Sequence, residues 1–282
     1  MLNNASAINN WSQSLIRPFE GVSRMPSPVP IPTCVLSDRH VINATTTTGD
    51  MAIIFDPQKI SNLPDESVIY VLVRSTATSD INFYSTLPAY GHTQSATGAN
   101  YTLRITGPVP AVTTYAQQYR VTSAGIRIRY LGTELNRSGQ FRICRTFGKK
   151  QANFYNFPTY SNVVEGQNTA CVKVGSDSTS FWIPYNVDDF NFKSLSEEST
   201  TSAIVIYGAG LTTGAVFEIE YIINYEYIPL VAYNELLGSN AVSGPSTNTE
   251  VLSSILNSVS SVSTNSSYLP NMPGLSRLME DL

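Results

Sequence analysis

The chain has 282 residues, of which 42% are hydrophobic and 13% charged, and it carries a net charge of −4. That length suits one large β domain with tails, while the charged share is about half of what soluble domains usually carry. A net-negative chain that opens without an Arg-rich arm is not built as a strong polyanion binder, because such affinity rests on Lys and Arg displacing counterions from phosphates. The neutral polar residues that make up the difference, Ser, Thr, Asn, Tyr, Gly and Pro, favour strands and turns and suit a surface that copies of the same chain will cover.

Residues 1–34 read as an N-terminal arm. The opening MLNNASAINNWSQSLIRPFE has no apolar core of a signal peptide, and no run of eighteen apolar residues follows anywhere, so the expectation is a soluble chain that is intracellular when made. The arm ends in RMPSPVPIP, whose four prolines within nine positions demand extended chain. From Val35 the pattern becomes strand-like, through VLSDRHVIN and on to GDMAIIFDP, and reads as one long strand interrupted between Thr45 and Gly49 and stopped at Pro57. A turn at Asn62–Asp65 leads into SVIYVLVRS, residues 67–75, a nearly continuous apolar run that predicts a strand buried on both faces.

Residues 79–116 read as an elaborated loop with short strands at Asp80–Tyr84 and Tyr101–Thr106. The central strand follows in QQYRVTSAGIRIRYLGTELNR, residues 117–137. Strict alternation places Thr122, Ala124, Ile126, Ile128 and Tyr130 on one face, and Val121, Ser123, Gly125, Arg127 and Arg129 on the other. A turn at Glu134–Gly139 then predicts GQFRICRTF as its antiparallel partner. Shorter strands are expected at Ala170–Val174, Ser180–Tyr185, Asp188–Lys193 and Ser202–Tyr207. The longest, Ala215–Ile228, puts Phe217, Ile219, Tyr221, Ile223, Tyr225 and Tyr227 opposite Glu218, Glu220, Asn224 and Glu226. About eight principal strands with no helical pattern between them point to a sandwich of the jelly-roll type over residues 35–232. In the tail, 233–282, Val251, Leu252, Ile255, Leu256 and Val259 recur at helical spacing and predict one short amphipathic helix.

Basic residues concentrate mid-chain, at Arg120, Arg127, Arg129, Arg137, Arg142, Arg145, Lys149 and Lys150. Two readings stand side by side: phosphate contact by a shared patch, or pairing with Glu134, Glu218 and Glu220. Asp50, Asp56, Asp188 and Asp189 fall at strand ends, where carboxylates either cap turns or gather around Ca2+ at a subunit boundary, with Asp188 and Asp189 the foremost pair. Cys34, Cys144 and Cys171 have no metal-ligand spacing and read as small buried apolar residues. With no GxSxG, P-loop or HExxH, and only His40 and His92 as imidazole bases, a turnover enzyme is not expected.

Four segments in order, RMPSPVPIPTCVLSDRHVI, GDMAIIFDP, RVTSAGIRIRYLGTELNRSGQF and EIEYIINYEYIP, resemble the strand entries, the middle strand pair and the closing strand of a known family. These are the coat proteins of small positive-strand RNA viruses of the nodavirus and tombusvirus kind, and the resemblance runs from Arg17 to Pro229. It implies an all-β, eight-stranded antiparallel jelly-roll sandwich with an extended N-terminal arm and a C-terminal tail containing a short helix. The implied role is a capsid protein that assembles with copies of itself in the host cytoplasm into an icosahedral shell around an RNA genome, resides in the virion and meets a host receptor. The family's basic arm is not seen in this sequence, so either the chain is a truncated form or genome contact falls to Arg120, Arg127, Arg129, Arg142, Arg145, Lys149 and Lys150. Nodavirus coat proteins also cut themselves after an Asn with the help of an Asp, releasing a membrane-active peptide. Asn240–Ala241 resembles that junction, with Asp50 and Asp56 as candidate acids and a tail able to contact a membrane. The competing class is a secreted or surface carbohydrate-binding sandwich, for which a signal peptide is expected.

Overall fold

The computed structural model describes residues 2–27, 31–58, 68–74, 93–97, 101–106, 110–149, 170–175, 177–184, 187–195, 201–230, 242–243 and 250–255. Its strands are β1 (Pro32–Thr45), β2 (Met51–Phe55), β3 (Ile69–Arg74), β4 (Thr93–Thr97), β5 (Tyr101–Thr106), β6 (Ala116–Tyr130), β7 (Gln140–Lys149), β8 (Ala170–Lys173), β9 (Ser178–Phe181), β10 (Thr201–Ala209), β11 (Val216–Pro229) and β12 (Val242–Ser243). Helices α1 (Leu2–Ile16) and α2 (Pro110–Tyr115) precede β1 and β6, and a further helical stretch occupies 250–255.

Two antiparallel sheets result, one in the order β12-β1-β11-β6-β9 and the other β4-β5-β3-β2-β10-β7-β8. Among the described strands the chain crosses between them six times, at β1 to β2, β5 to β6, β6 to β7, β8 to β9, β9 to β10 and β10 to β11. With β12 added to the first sheet beyond β1, and β3, β4 and β5 widening the second beyond β2, the other eight strands form the facing sets β1-β11-β6-β9 and β2-β10-β7-β8, an eight-stranded jelly-roll sandwich. The core lies between them. Phe217 of β11 meets Phe141 of β7 edge-on at 5.5 Å, and Tyr221 meets Phe55 of β2 at 5.5 Å between ring centroids. As its apolar run predicts, β3 is buried on both faces from Ile69 to Val73.

Several expectations are revised. The interrupted first strand is two strands in different sheets: Gly49, at φ +87°, turns the chain, and its carbonyl accepts the Leu211 N–H at 2.9 Å. A side chain at that position would meet the Leu211 carbonyl at 2.7 Å. Nor is β7 the hairpin partner of β6. Both edges of β6 are taken by β11 and β9, so residues 131–139 carry the chain across to the second sheet, where β7 pairs with β10 and β8.

Within β6 the alternation breaks at Thr122, because Tyr225 faces Val121 while its neighbour Asn224 faces Ser123. The extra residue is a β-bulge, and it swings Val121 to the core side with Ala124, Ile126 and Ile128. Asp188–Lys193 is not a strand but a 3-10 turn (Val187–Phe190) followed by an isolated bridge from Lys193 to Tyr119. Cys34 and Cys144 are buried as expected, whereas Cys171 is exposed. Asp80–Tyr84 lies outside the described residues, and β4 and α2 had no counterpart in the sequence reading.

The N-terminal arm begins as a helix rather than as extended chain. Ile8, Trp11 and Leu15 fall on one stripe of α1, and Trp11 and Leu15 are fully buried. Trp11 Nε1 donates to the Thr122 carbonyl at 3.2 Å, and its ring meets Phe190 edge-on at 5.2 Å. The tail helix at 250–255 buries Leu252 and Ile255, in keeping with its spacing, while Leu256 and Val259 lie outside the described residues.

Candidate functional site

The polar chemistry of the described residues concentrates on the outer face of the first sheet. Antiparallel register sets Glu218 beside Arg129, Glu220 beside Arg127, Asn224 beside Ser123 and Glu226 beside Arg120, so β11 supplies a row of acceptors and β6 a row of donors. From the other side β1 contributes Arg39, Ser37 and Thr33.

At one end of the row the pair is sealed. Glu226 is 1% exposed and Arg120 4%. Glu226 Oε2 accepts from Arg120 Nη2 at 2.7 Å and Nε at 2.9 Å, and from the Met25 N–H at 3.1 Å, while Oε1 accepts from Thr33 Oγ1 at 2.5 Å. Arg120 also donates to the carbonyls of Met25 at 2.9 Å and Phe190 at 3.3 Å, and its guanidinium lies 4.3 Å from the centre of the Phe192 ring. Burial pushes the guanidinium below its ordinary value, and the Glu226 carboxylate works the other way. In the middle of the row Asn224 donates to Ser123 Oγ at 2.8 Å and to the Pro18 carbonyl at 3.0 Å. Gly125 allows Pro18 to sit there, since a side chain at 125 would meet Pro18 Cγ at 2.5 Å.

At the open end Glu220, nearly buried, is shared by Arg39, by Arg127 at 3.6 Å and by Arg129 at 3.3 Å. Arg129 also pairs with Glu218 at 2.8 Å, and Asp177 lies 3.6 Å from Arg127 and 3.7 Å from Arg129. Arg39, Arg127 and Arg129 thus face Glu218, Glu220 and Asp177, and the charges cancel.

The mid-chain basic residues do not form one patch. Arg142 and Arg145 belong to β7 in the second sheet, away from Arg127 and Arg129 on β6. Arg145 is turned inward, donates to the Phe181 carbonyl at 3.2 Å and stacks 4.8 Å from that ring's centre, and burial pulls its pKa down to about 10. Lys149 ends β7 with a side chain outside the described set, and Lys150 lies outside it altogether.

Among the carboxylates, Asp189 is buried 3.8 Å from Lys193, and the Asp188 side chain is not among those described. Asp56 is buried and accepts the Gln58 N–H at 3.1 Å, whereas Asp50 sits at the other end of β2 in the Gly49 turn. No group of three or more His, Cys, Asp or Glu side chains among the described residues is placed to hold a metal ion. Asn240 and Ala241 lie outside the described residues.

One pair went unread in the sequence: His40 Nε2 lies 2.9 Å from Asp38 Oδ1, and the imidazole stacks on Tyr221 at 5.5 Å. The two residues are i and i+2 on a strand, hence on the same face, and that spacing was the available signal. The hydrogen bond to Asp38 raises the His40 pKa, against a smaller lowering by burial.

No family model matches the sequence, and no curated protein matches it. Among solved structures the fold is similar to that of T=1 particles derived from infectious bursal virus, with a TM-score of 0.59 at 10% identity, covering 89% of this chain and 90% of that one. The VP2 subviral particle of infectious bursal disease virus gives 0.58 at 11%, covering 91% and 95%. The T13 viral particle gives 0.57 at 10%, covering 92% of both chains. At such identities the likeness is one of fold.

Two measurements test the row of charges. Glu226→Ala leaves Arg120 buried without its carboxylate and is expected to cost about 3–5 kcal/mol in denaturant unfolding, whereas the double replacement Arg120→Met with Glu226→Leu recovers most of the loss. For His40, the raised folded-state pKa means that protonation stabilises the fold. That contribution is complete below the ordinary imidazole value of 6.5 and disappears as pH rises through the raised value. Thermal melting of the parent is therefore expected to fall over that window relative to Asp38→Asn, and parallel pH profiles would refute the assignment.

Proposed function

We propose that this chain is the shell-forming subunit of an icosahedral viral capsid, a structural protein without turnover chemistry. The observation that carries the reading is the jelly-roll sandwich whose charged outer sheet face is neutralised within the chain, a fold similar to that of particle-forming proteins at TM-scores of 0.57–0.59. Subunits with cancelled surface charge can pack side by side without mutual repulsion, and repeated contact supplies the interface area that a single pair lacks.

The finer form of the proposal is a subunit of the nodavirus and tombusvirus kind, enclosing RNA, assembled in the cytoplasm of a host whose receptor it meets. Carboxylates already hold Arg120, Arg127 and Arg129, so genome contact in this reading falls to Arg142 with Lys149 and Lys150. Cleavage at Asn240–Ala241, freeing a tail for membrane contact, would draw on Asp56 rather than Asp50. Val242, directly after that junction, pairs with Thr33 at the end of the sandwich where Tyr119 donates to the Gln58 carbonyl, two residues from Asp56.

Negative-stain microscopy with sedimentation of the purified full chain tests the main reading. Uniform hollow shells are expected, and a chain that stays monomeric at every salt and concentration tried would defeat it. Mass spectrometry of the same shells tests the cleavage: a mass ending at Asn240 supports it, and an intact C-terminus removes it.

A further inference from the structure

The two edges of the first sheet are treated differently by this sequence. At one side β9 is four residues long, and the Trp182 N–H continues its pairing to the Ala124 carbonyl at 2.8 Å. At the other side β1 runs for fourteen residues, of which, among the described residues, only Pro32 and Thr33 are paired outward, with β12. The Thr46 N–H donates to the Ala215 carbonyl at 2.9 Å just past the end of the β1 and β11 register, and alternation from that point fixes which backbone groups face which way. Even-numbered residues of β1 bond to β11. Val35, Ser37, Arg39, Val41, Asn43 and Thr45 turn their N–H and C=O groups to the open side, where among the described residues no strand meets them.

Open edges of this length are normally blunted by Pro, by Lys, by a bulge or by brevity. Here none of these devices is present. From Thr33 to Thr45 there is no Pro, Gly or Lys, the register with β11 runs from Cys34 to Thr45 without a shift, and the one Arg, Arg39, is turned onto Glu220. Val41, in the middle, is 53% exposed. β12 shows that the edge accepts an antiparallel strand, and the stretch beyond it is continuous with that pairing.

Building on the shell-subunit reading, we propose that β1 from Val35 to Thr45 is a docking edge for an extended strand of a second copy of this chain, which continues the five-stranded sheet across the subunit boundary. Main-chain hydrogen bonds supply the contact, and Arg39, already answered by Glu220, does not repel an approaching copy. A nucleic acid gains nothing from an edge that presents neutral peptide groups.

Hydrogen exchange read by mass spectrometry on a peptide spanning residues 35–45, in assembled shells and in the dissociated full chain, tests this directly. The expected result is a fast-exchanging population in the dissociated chain that becomes protected on assembly. If it still exchanges fast in shells, the inference falls and the shell reading stands; if the dissociated chain already protects it, the chain's own tail is the occupant and the inference also falls. In parallel, Val41→Pro removes one outward N–H without touching a bond to β11, and Val41→Lys adds a gatekeeping charge. Both are expected to weaken assembly at least tenfold by sedimentation while thermal melting shows a folded chain. Folded variants that assemble like the parent overturn the proposal. A parent that never assembles defeats the shell reading, and this inference with it.

Discussion

The sandwich depends on a buried charge that is fully answered. Removing the Arg120 guanidinium and the Glu226 carboxylate from water costs several kcal/mol for each ion, and their attraction offsets that only when the remaining donors and acceptors are satisfied. Here they are satisfied by the strap of chain that covers them. The Met25 N–H and carbonyl bond to the two partners, Thr33 adds a third donor to the carboxylate, and the Phe190 carbonyl takes another guanidinium proton. The pair is therefore possible only with the N-terminal segment in place, and that segment is held by the pair. Arg145 makes a useful contrast. It is almost as buried, yet it rests on a carbonyl and an aromatic face, and its proton is correspondingly less firmly held.

From that sealed end the outer face grades to an open network in which each guanidinium already has a carboxylate. The more exposed pairs, Arg129 with Glu218 and with Asp177, add little to stability individually. Their effect is on the field outside the molecule: a surface with three cations against three anions neither steers polyanions nor repels its own copies. The low charged fraction of the whole chain and the cancellation on this face point the same way.

Much of this was legible in the alternation of single strands. The face of β11 that carries Phe217, Ile219, Tyr221, Ile223, Tyr225 and Tyr227, and the opposite face with its acids, follow from a period of two. Pairing of Arg127 and Arg129 with Glu218 and Glu220 stood among the readings of the residues. What alternation cannot contain is a residue count that differs between partners: the bulge at Thr122 exists only in the register between β6 and β11. The same holds for sheet assignment. GQFRICRTF has every mark of a hairpin strand, and only the occupation of both β6 edges sends it to the other sheet. α1 escaped notice because Asn and Ser are weak helix formers, and the stripe Ile8, Trp11, Leu15 is stabilised by the groove it fills rather than by propensity.

Edges complete the account. A sheet with two long bare edges would add copies on both sides and grow without limit, whereas a sheet with one short, continued edge at β9 and one long regular edge at β1 can extend in a single direction. In the proposed contact a donated strand fills β1 of one copy; if that strand is itself β1 the two edges satisfy each other about a two-fold axis, and if it is another strand the contact closes only where the rotation between copies forms a ring. The long stretch of β1 that no described strand covers would be an aggregation hazard in a solitary protein, and it is what the proposed contact between copies would cover. The same strand that offers its outward amides also carries Thr33 to Glu226, so the proposed docking edge is braced by the buried pair beneath it.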